Sequence, residues 1–328
     1  MTPLVEMILP PAVSGKLPYW RLVLRGCSQL CFQTNELTGL LFLAAVLAAS
    51  PLTAAYMLVA AILAPGGRML LGQKQTLETG LPGINPCLIA ISLPSFYHTG
   101  WNDFGMWGVL LCCVAAAIVL VRILVARLPF PITALPFLII FWVLWALAPY
   151  LDVLQPIEFS ATQVADFHPL TAVGRSLGEA LFSPTVVSGS LFLLGLLVSN
   201  WRHAIIALLG AAIGTLVSYY YGGTGAANAD TGLYGFNGVL AAVAVYVICG
   251  GRLPLSLLAA LLATVLMPLF SLLGLQALSA PFVLTVWFLL ALDWIDNHGF
   301  RARTEDENEP GSPLASPQRR GPVKEQAT

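Results

Sequence analysis

Long stretches without a charged side chain are the feature that most limits what this chain can fold into. Residues 37–67 contain no Asp, Glu, Lys or Arg. Charged residues make up 9% of the chain and hydrophobic residues 58%, whereas soluble domains carry about 25% charged residues. A soluble fold of this size could not cover its surface with polar groups. The sequence therefore predicts an integral membrane protein. Its net charge of −1 excludes a basic nucleic-acid-binding protein.

Ten apolar segments follow one another along the chain. Several are shorter than the roughly 20 residues that cross a bilayer, and Gly and Pro flank them, so we expect half-helices or broken helices beside a polar cavity. The segments lie at about 38–50, 52–72, 86–97, 105–127, 132–151, 186–199, 202–221, 236–250, 253–275 and 281–296. We expect residues 1–20 to be a cytoplasmic segment without a cleaved signal peptide, and residues 298–328 to be a disordered tail.

The chain contains an internal repeat. The motif TGLPGIN at 79–85 recurs as TGLYGFN at 231–237, and five of the seven positions are identical. An acid precedes each copy, Glu78 in the first and Asp230 in the second. Two further sets match in the same order: Arg25, Phe32 and Gly39 with Arg175, Phe182 and Gly189, and PFLIIFW at 136–142 with PFVLTVW at 281–287. The nearly constant offset indicates a duplication, with one repeat at 21–151 and the other at 152–297.

An odd number of crossings in each repeat would invert the second repeat relative to the first. We therefore expect an all-α polytopic fold of two inverted five-helix repeats, about ten transmembrane helices in total, with a pore where the halves meet. Basic residues near both termini predict that both termini are cytoplasmic. These residues are Lys16, Arg21, Arg25, Arg301, Arg303, Arg319, Arg320 and Lys324.

The duplicated GL-x-G-x-N loop resembles the signature of the urea transporter family. The segments Arg25–Phe32 (Arg-Gly-x-x-Gln-x-x-Phe) and Ala280–Trp287 (Ala-Pro-Phe-x-x-Thr-x-Trp) extend the resemblance to about residues 20–297. Members of that family are channel-like facilitators of urea, with two inverted halves per subunit and a trimer of separate pores. The resemblance implies a homotrimeric urea facilitator of a bacterial inner membrane that uses no cofactor and no metal.

The resemblance also implies a row of hydrogen-bond acceptors between apolar walls, because leaving a buried amide unpaired costs about 2–7 kcal/mol. Gln29 would supply an acceptor at one mouth, with Phe32 as a wall, and Glu179 and Phe182 are the matching positions in the second half. Phe236 would pair with Phe182 or face Phe32 across the pore. The implied pore residues are Gln29, Phe32, Ile84, Leu88, Ile140, Glu179, Phe182, Phe236, Leu240 and Thr285. The implied structural residues of the loops are Glu78, Gly80, Gly83, Asn85, Asp230, Gly232, Gly235 and Asn237.

Three positions depart from the family pattern. Glu179 stands where the family has Gln, Ile84 replaces a loop aromatic residue, and Ile140 replaces a central Thr. One slot thus loses an aromatic wall, and the centre loses one of two hydroxyl groups. These changes leave the fold prediction unaltered, but they make another small amide an alternative substrate.

Several of these residues also have a purely structural interpretation. Glu179 could be a helix-end acid paired with Arg175 one turn earlier. Glu78 and Asp230 are better explained as caps, or as partners of a half-helix N-terminus, than as substrate contacts. Thr285 could bond to its own helix backbone. The phenylalanines could be ordinary core or lipid-facing side chains.

Two other functional classes remain as alternatives. An ion-coupled secondary transporter would share inverted repeats and broken helices, but the apolar segments hold few ionisable residues. A membrane enzyme is not indicated, because the sequence shows no nucleophile–base or metal-ligand motif. The scattered His98, His168, His203 and His298 fit loop and interface positions better than a metal site or a proton relay.

Overall fold

A computed structural model describes residues 17–72, 77–158, 166–221 and 230–301. Within these ranges the chain forms twelve α-helices, and its only β-structure is an isolated bridge between Tyr97 and Pro156. The helices are α1 (Tyr19–Ser28), α2 (Glu36–Ala49), α3 (Pro51–Leu70), α4 (Ile84–Phe96), α5 (Phe104–Val125), α6 (Leu135–Leu147), α7 (Pro169–Glu179), α8 (Val186–Ser199), α9 (Trp201–Tyr220), α10 (Phe236–Ile248), α11 (Leu253–Leu272) and α12 (Ala280–Ile295). Short 3₁₀ turns lie at Gln29–Cys31, Leu77–Thr79, Leu81–Gly83 and Ala148–Tyr150.

Five helices of the described residues are long and apolar enough to cross a membrane: α3, α5, α9, α11 and the stretch Ala280–His298 that includes α12. A sixth span is possible if α1 and α2, which meet at an angle of 70°, are counted as one broken span. The remaining apolar helices, such as α8 and α10, are shorter. The protein is therefore an integral multi-pass membrane protein, as the sequence predicts. Ten crossings and the inversion of the repeats stay predictions.

Helices α1 and α7 are additions to the ten segments expected from hydropathy. Both are amphipathic, and α1 carries two arginines that are buried rather than exposed. The Nε atoms of Arg21 and Arg25 donate to Oε1 of the buried Glu36 at 2.7 and 2.9 Å. Both guanidinium groups are buried beside the single carboxylate of Glu36, so they are weaker topology signals than exposed charges. The cytoplasmic placement of the N-terminus consequently rests on fewer basic residues than the sequence suggests.

Equivalent polar residues begin equivalent helices in the two repeats. Asn35 accepts a hydrogen bond from the backbone N–H of Thr38 at the start of α2. Thr185, 150 residues later, caps α8 in the same way. Ser50 and Asn200 form a second such pair, at the starts of α3 and α9. Side-chain acceptors of this kind satisfy backbone N–H groups that a helix leaves unpaired.

Helices α2 and α8 pack against each other through hydrogen bonds that are exchanged between the repeats. Thr38 Oγ1 of α2 donates to the carbonyl oxygen of Gly195 in α8 at 2.8 Å. Ser188 Oγ of α8 donates to the carbonyl oxygen of Ala45 in α2 at 2.7 Å. Thr38 and Ser188 are 150 residues apart, as are Ala45 and Gly195. Each bond is thus the counterpart of the other.

The described residues belong to two compact units, Met1–Val286 and Trp287–Thr328. In the second unit, the rings of Trp294 and His298 stack with centroids 4.8 Å apart. Asn297 Nδ2 donates to Asp293 Oδ2 at 3.1 Å in the same unit. Most of the predicted N-terminal segment (1–16) and of the predicted tail (302–328) lies outside the described residues, and the division into two repeats stays a prediction.

Candidate functional site

The first candidate mouth forms where the chain turns between α1 and α2. Phe32 adopts a left-handed backbone conformation with φ of 59° at this turn. Gln29 Nε2, three residues earlier, donates to Thr34 Oγ1 at 2.9 Å and to the carbonyl oxygen of Thr79 at 2.6 Å. Both donors of this amide are used, so its oxygen, which has no donor among the described residues, remains as an acceptor.

The first glycine-rich loop lies directly against α1. Gly80 has a φ of 81°, and a methyl group there would lie 2.5 Å from the carbonyl oxygen of Arg25. A methyl group at Gly83 would likewise lie 2.5 Å from Cα of Gly26. Nη1 of Arg25 donates to the carbonyl oxygen of Glu78. Glycine is needed at position 80 because both the positive φ and the close backbone exclude a side chain.

The second loop repeats this arrangement against α7. Gly232 has a φ of 87° beside the backbone of Arg175, whose Nη1 donates to the carbonyl oxygen of Asp230 at 2.9 Å. The Asp230 carboxylate accepts from the backbone N–H of His168 at 3.0 Å and lies 3.2 Å from its Nδ1. His168 is the residue directly before α7. Asp230 therefore interacts with a helix N-terminus, which is the structural interpretation of this acid.

An asparagine ties each loop to the segment that precedes α6 or α12. Asn85 Nδ2 donates to the carbonyl oxygen of Thr133 at 3.0 Å, and Asn85 Oδ1 accepts from the backbone N–H of Phe137 at 2.9 Å. The corresponding bonds of the second half join Asn237 to Leu278 and Phe282 at 2.8 and 3.2 Å. Each amide is committed to the protein, so the loops are held in a fixed shape.

A cavity of about 1020 Å³ opens at the first mouth. Gln29, Phe32, Ile84 and Asn85 line it, so the structure brings together four of the residues implied by the sequence. Apolar side chains from α5 and the end of α10 complete the wall. The remaining pore candidates do not line this cavity: Leu88, Ile140, Glu179, Phe182, Phe236, Leu240 and Thr285.

Aromatic contacts at the two mouths are exchanged between the repeats. The rings of Phe32 and Phe282 lie 5.8 Å apart, and those of Phe182 and Phe137 lie 6.1 Å apart. Phe182 has one more ring neighbour, Phe96 at 6.1 Å. Each turn phenylalanine thus contacts an aromatic residue of the other repeat, and Phe182 has more ring neighbours than Phe32 among the described residues.

The predicted ring pairing of Phe236 with Phe182 is not present among the described residues, and its position facing Phe32 across a pore stays a prediction. Phe236 is buried at the start of α10, and no ring contact joins it to Phe182 or Phe32 within the described ranges. The aromatic neighbours come instead from α4, α6 and α12. Motif matching could not identify these neighbours, because they belong to helices far away in sequence.

The side chains that the family resemblance assigns to the narrow centre of a pore are almost fully buried. Leu88 of α4 and Leu240 of α10 are each 5% exposed, and Ile140 of α6 is 8% exposed. Thr285 of α12 is completely buried, and its Oγ1 has no hydrogen-bond partner within the described residues. The alternative that Thr285 bonds to its own helix backbone is therefore wrong. A buried hydroxyl without a partner is costly, so its presence needs a reason.

The family follows from the sequence over most of its length. A family model described as "Urea transporter" matches residues 20–293. The chain belongs to the urea transporter family. Urea transporter 1 of Rattus norvegicus and that of Mus musculus are each 26% identical to it over 247 residues, and that of Ovis aries is 27% identical over 250 residues. These matches cover 68% of the chain but only 62% of each relative, so the chain spans less than two thirds of these relatives.

Membership of the urea transporter family agrees with the prediction of a transport protein rather than an enzyme. No group of three or more His, Cys, Asp or Glu side chains that could hold a metal occurs in the part of the chain that the structure describes. His203 lies instead between the repeats, with Nδ1 2.9 Å from Gln33 Oε1.

Glu179 is the most informative of the three departures from the family pattern. It is the last residue of α7 and half-buried, and its carboxylate has no partner among the described residues. Nη1 of Arg175 donates to the backbone carbonyl oxygen of Asp230, and no ion pair joins Arg175 to Glu179 among the described residues. The alternative of an Arg175–Glu179 ion pair is therefore wrong. The carboxylate oxygens of Glu179 are thus available as acceptors.

Two residues of the first mouth could not be predicted from the sequence motifs. Arg68, near the end of α3, and Thr133, before α6, both line the cavity. Both are buried and hold polar atoms without partners. The available signal for Arg68 was its position as the first charge after the long uncharged stretch, directly behind Pro65-Gly66-Gly67. Thr133 gave no signal, because only its neighbours reveal that its hydroxyl is unpaired.

Proposed function

We propose that the protein conducts urea passively across a membrane, through a narrow path between its two repeats. The observation that carries the proposal is the Gln29 amide, whose nitrogen is fixed by Thr34 and Thr79 and whose oxygen is left to accept beside Phe32. Urea offers four N–H donors, and such an oxygen replaces water for one of them. The family match of residues 20–293 supports the choice of urea.

The path has polar groups at its mouths and in its middle. In this proposal Gln29 marks one mouth, Glu179 marks the other, and Thr285 lies between them. The Thr285 hydroxyl is buried and has no hydrogen-bond partner among the described residues. Leu88 and Leu240 narrow the passage. Between the mouths, Leu88, Leu240 and Thr285 carry no charge, so this part of the path passes a neutral amide and rejects hydrated ions, since their dehydration is not repaid.

The proposed path follows a two-fold relation between inverted repeats. The exchanged bonds of Thr38 and Ser188 support this relation, because a two-fold axis converts each bond into the other. Family resemblance further supports a homotrimer with one pore per subunit, in the inner membrane of a bacterium, with both termini in the cytoplasm. In this proposal Ile84, Ile140 and Phe236 line the path together with the residues named above.

A second small amide remains the alternative substrate. Ile140 lacks the hydroxyl that Thr285 supplies at the matching position, 145 residues later. A centre with one hydroxyl satisfies fewer donors at a time, which favours solutes with fewer N–H groups than urea. Acetamide and formamide are such solutes.

The experiment is a stopped-flow measurement on proteoliposomes with urea, acetamide, formamide, ammonia and water as solutes. We expect urea flux that saturates with concentration and does not change when a proton or sodium gradient is imposed or dissipated. Protein-free liposomes and an ion-conductance assay serve as controls. Concentrative uptake that collapses with either gradient would instead identify an ion-coupled transporter.

A further inference from the structure

The cavity at the first mouth contains a cation without a counter-charge. Arg68 is 8% exposed and lines the cavity. Its Nε and Nη1 atoms are buried and have no hydrogen-bond partner within the described residues. The buried arginines of α1 differ in this respect, because they share Glu36. A buried guanidinium without a partner is costly, and a ligand that pairs with it recovers that cost.

The wall around Arg68 supplies no acid that could compensate its charge. Among the described residues that line the cavity there is no Asp or Glu. Glu78, the acid nearest in sequence to the loop, is exposed and is not part of this wall. The cavity therefore carries a net positive charge and matches a small anion.

A second unpaired donor of the same wall can add a hydrogen bond to a bound anion. Thr133 lines the same cavity, and its Oγ1 is buried without a partner. A guanidinium presents parallel N–H groups that match the two oxygens of a carboxylate, and a hydroxyl can donate one further hydrogen bond. The cavity volume of about 1020 Å³ leaves room for a carboxylate beside the Gln29 amide.

We propose that Arg68 and Thr133 form a binding subsite for a small monocarboxylate at the first mouth, and that the bound anion competes with the solute that permeates. The binding of the anion is independent of the transported solute. The competition rests on the proposed function, because it requires that the solute passes Gln29 and Phe32 in the same cavity.

Binding is tested with ¹³C-labelled formate by NMR line broadening on the full-length protein in a maltoside detergent free of phospholipid. We expect broadening with the wild type and at least a tenfold weaker affinity with Arg68→Gln. Arg202→Gln is the matched control, because it removes an equal charge from an exposed position outside the cavity. Arg68→Lys, which keeps the charge but loses the planar fork, should bind formate more weakly than the wild type.

Flux gives the second measurement. Formate should reduce urea flux into proteoliposomes containing the wild type and the Arg202→Gln variant, and have at least fivefold less effect with Arg68→Lys or Arg68→Gln. Equal formate binding in the wild type and both Arg68 variants would overturn the subsite. Formate binding that depends on Arg68 without any urea flux would retain the subsite and reject the proposed function instead. Broadening that inorganic phosphate abolishes at equal concentration would show a general anion site and overturn the carboxylate preference.

Discussion

The rings of Phe42 and Phe192, equivalent residues 150 positions apart, stack on each other with centroids 4.8 Å apart and 18° between their planes. A contact between two copies of the same residue arises where a two-fold axis passes between them. Both rings are fully buried, in α2 and α8. The stack therefore supports a two-fold relation centred on this helix pair, with the exchanged hydrogen bonds on either side of it.

The buried hydroxyl of Thr285 should lower the stability of the folded protein and increase the urea flux. Thr285→Val removes it at nearly constant volume, so we expect urea flux to fall by about three- to tenfold, the equivalent of about 0.5–1.5 kcal/mol for one hydrogen bond. The melting temperature in detergent should stay equal or rise, because a buried polar atom without a partner disappears. Unchanged flux together with a lower melting temperature would mean that Thr285 has a structural role.

Ile140, which matches Thr285 in the first repeat, should give the opposite result, because its substitution by Thr adds a hydroxyl group instead of removing one. Ile140→Thr adds a second hydroxyl to the centre, and we expect the ratio of urea to acetamide flux to rise by about threefold. Ile140→Val is the control, because it shortens the side chain without adding a donor or acceptor. Equal ratios in both variants would place Ile140 outside the path.

The carboxylate at the second mouth should be replaceable by an amide but not by a hydrocarbon. Glu179→Gln keeps an acceptor and should preserve urea flux within about twofold. Glu179→Leu leaves a donor pair of urea unmet, at a cost of about 1–3 kcal/mol, and should slow the flux by about tenfold. Glu78→Gln, an exposed acid at the other loop, is the matched control. Equal rates in the wild type and the Gln and Leu variants, at matched protein content, would count against an acceptor role.

The close approach of α1 to α2 should tolerate no side chain. A methyl group at Gly39 would lie 1.9 Å from the carbonyl oxygen of Leu24, so Gly39→Ala must displace a helix backbone. We expect a loss of monodisperse protein in size-exclusion chromatography, or a melting temperature lower by several degrees. Gly108→Ala, where nothing lies within 4 Å, should be neutral or slightly stabilising. Similar behaviour of both variants would contradict this packing.

Hydropathy predicts the apolar helices, because the hydrophobic side chains of each helix by themselves favour burial in lipid or protein. Ten helices start and end close to the predicted segments, and α8 spans Val186–Ser199 as expected. Helix α1 could not be predicted in this way. From the sequence alone Arg21 and Arg25 are expected at the surface, and only the folded structure shows that Glu36 lies beside them. Whether a charged side chain is buried depends on a partner that only the folded chain provides.

The candidate site follows the same rule. The duplicated motif indicated Gln29, Phe32 and Ile84, and the structure brings them to one cavity. It did not indicate that Phe32 and Phe182 have Phe282 and Phe137 as ring neighbours, or that Thr285 lacks a backbone partner. A repeated motif identifies equivalent positions, but the neighbours of a side chain are set by the packing of distant helices.

The bonds of Thr38 and Ser188 have a consequence for the history of the chain. If a single repeat once existed as a separate protein, these two bonds were one bond, made twice in a symmetric pair of identical subunits. Any substitution at that residue then changed both bonds at once. Fusion of the two copies into one chain allowed each bond to change alone, and the two positions now hold different residues that still make the same hydrogen bond. The same freedom explains how one mouth acquired Gln29 and the other Glu179 without loss of the shared architecture.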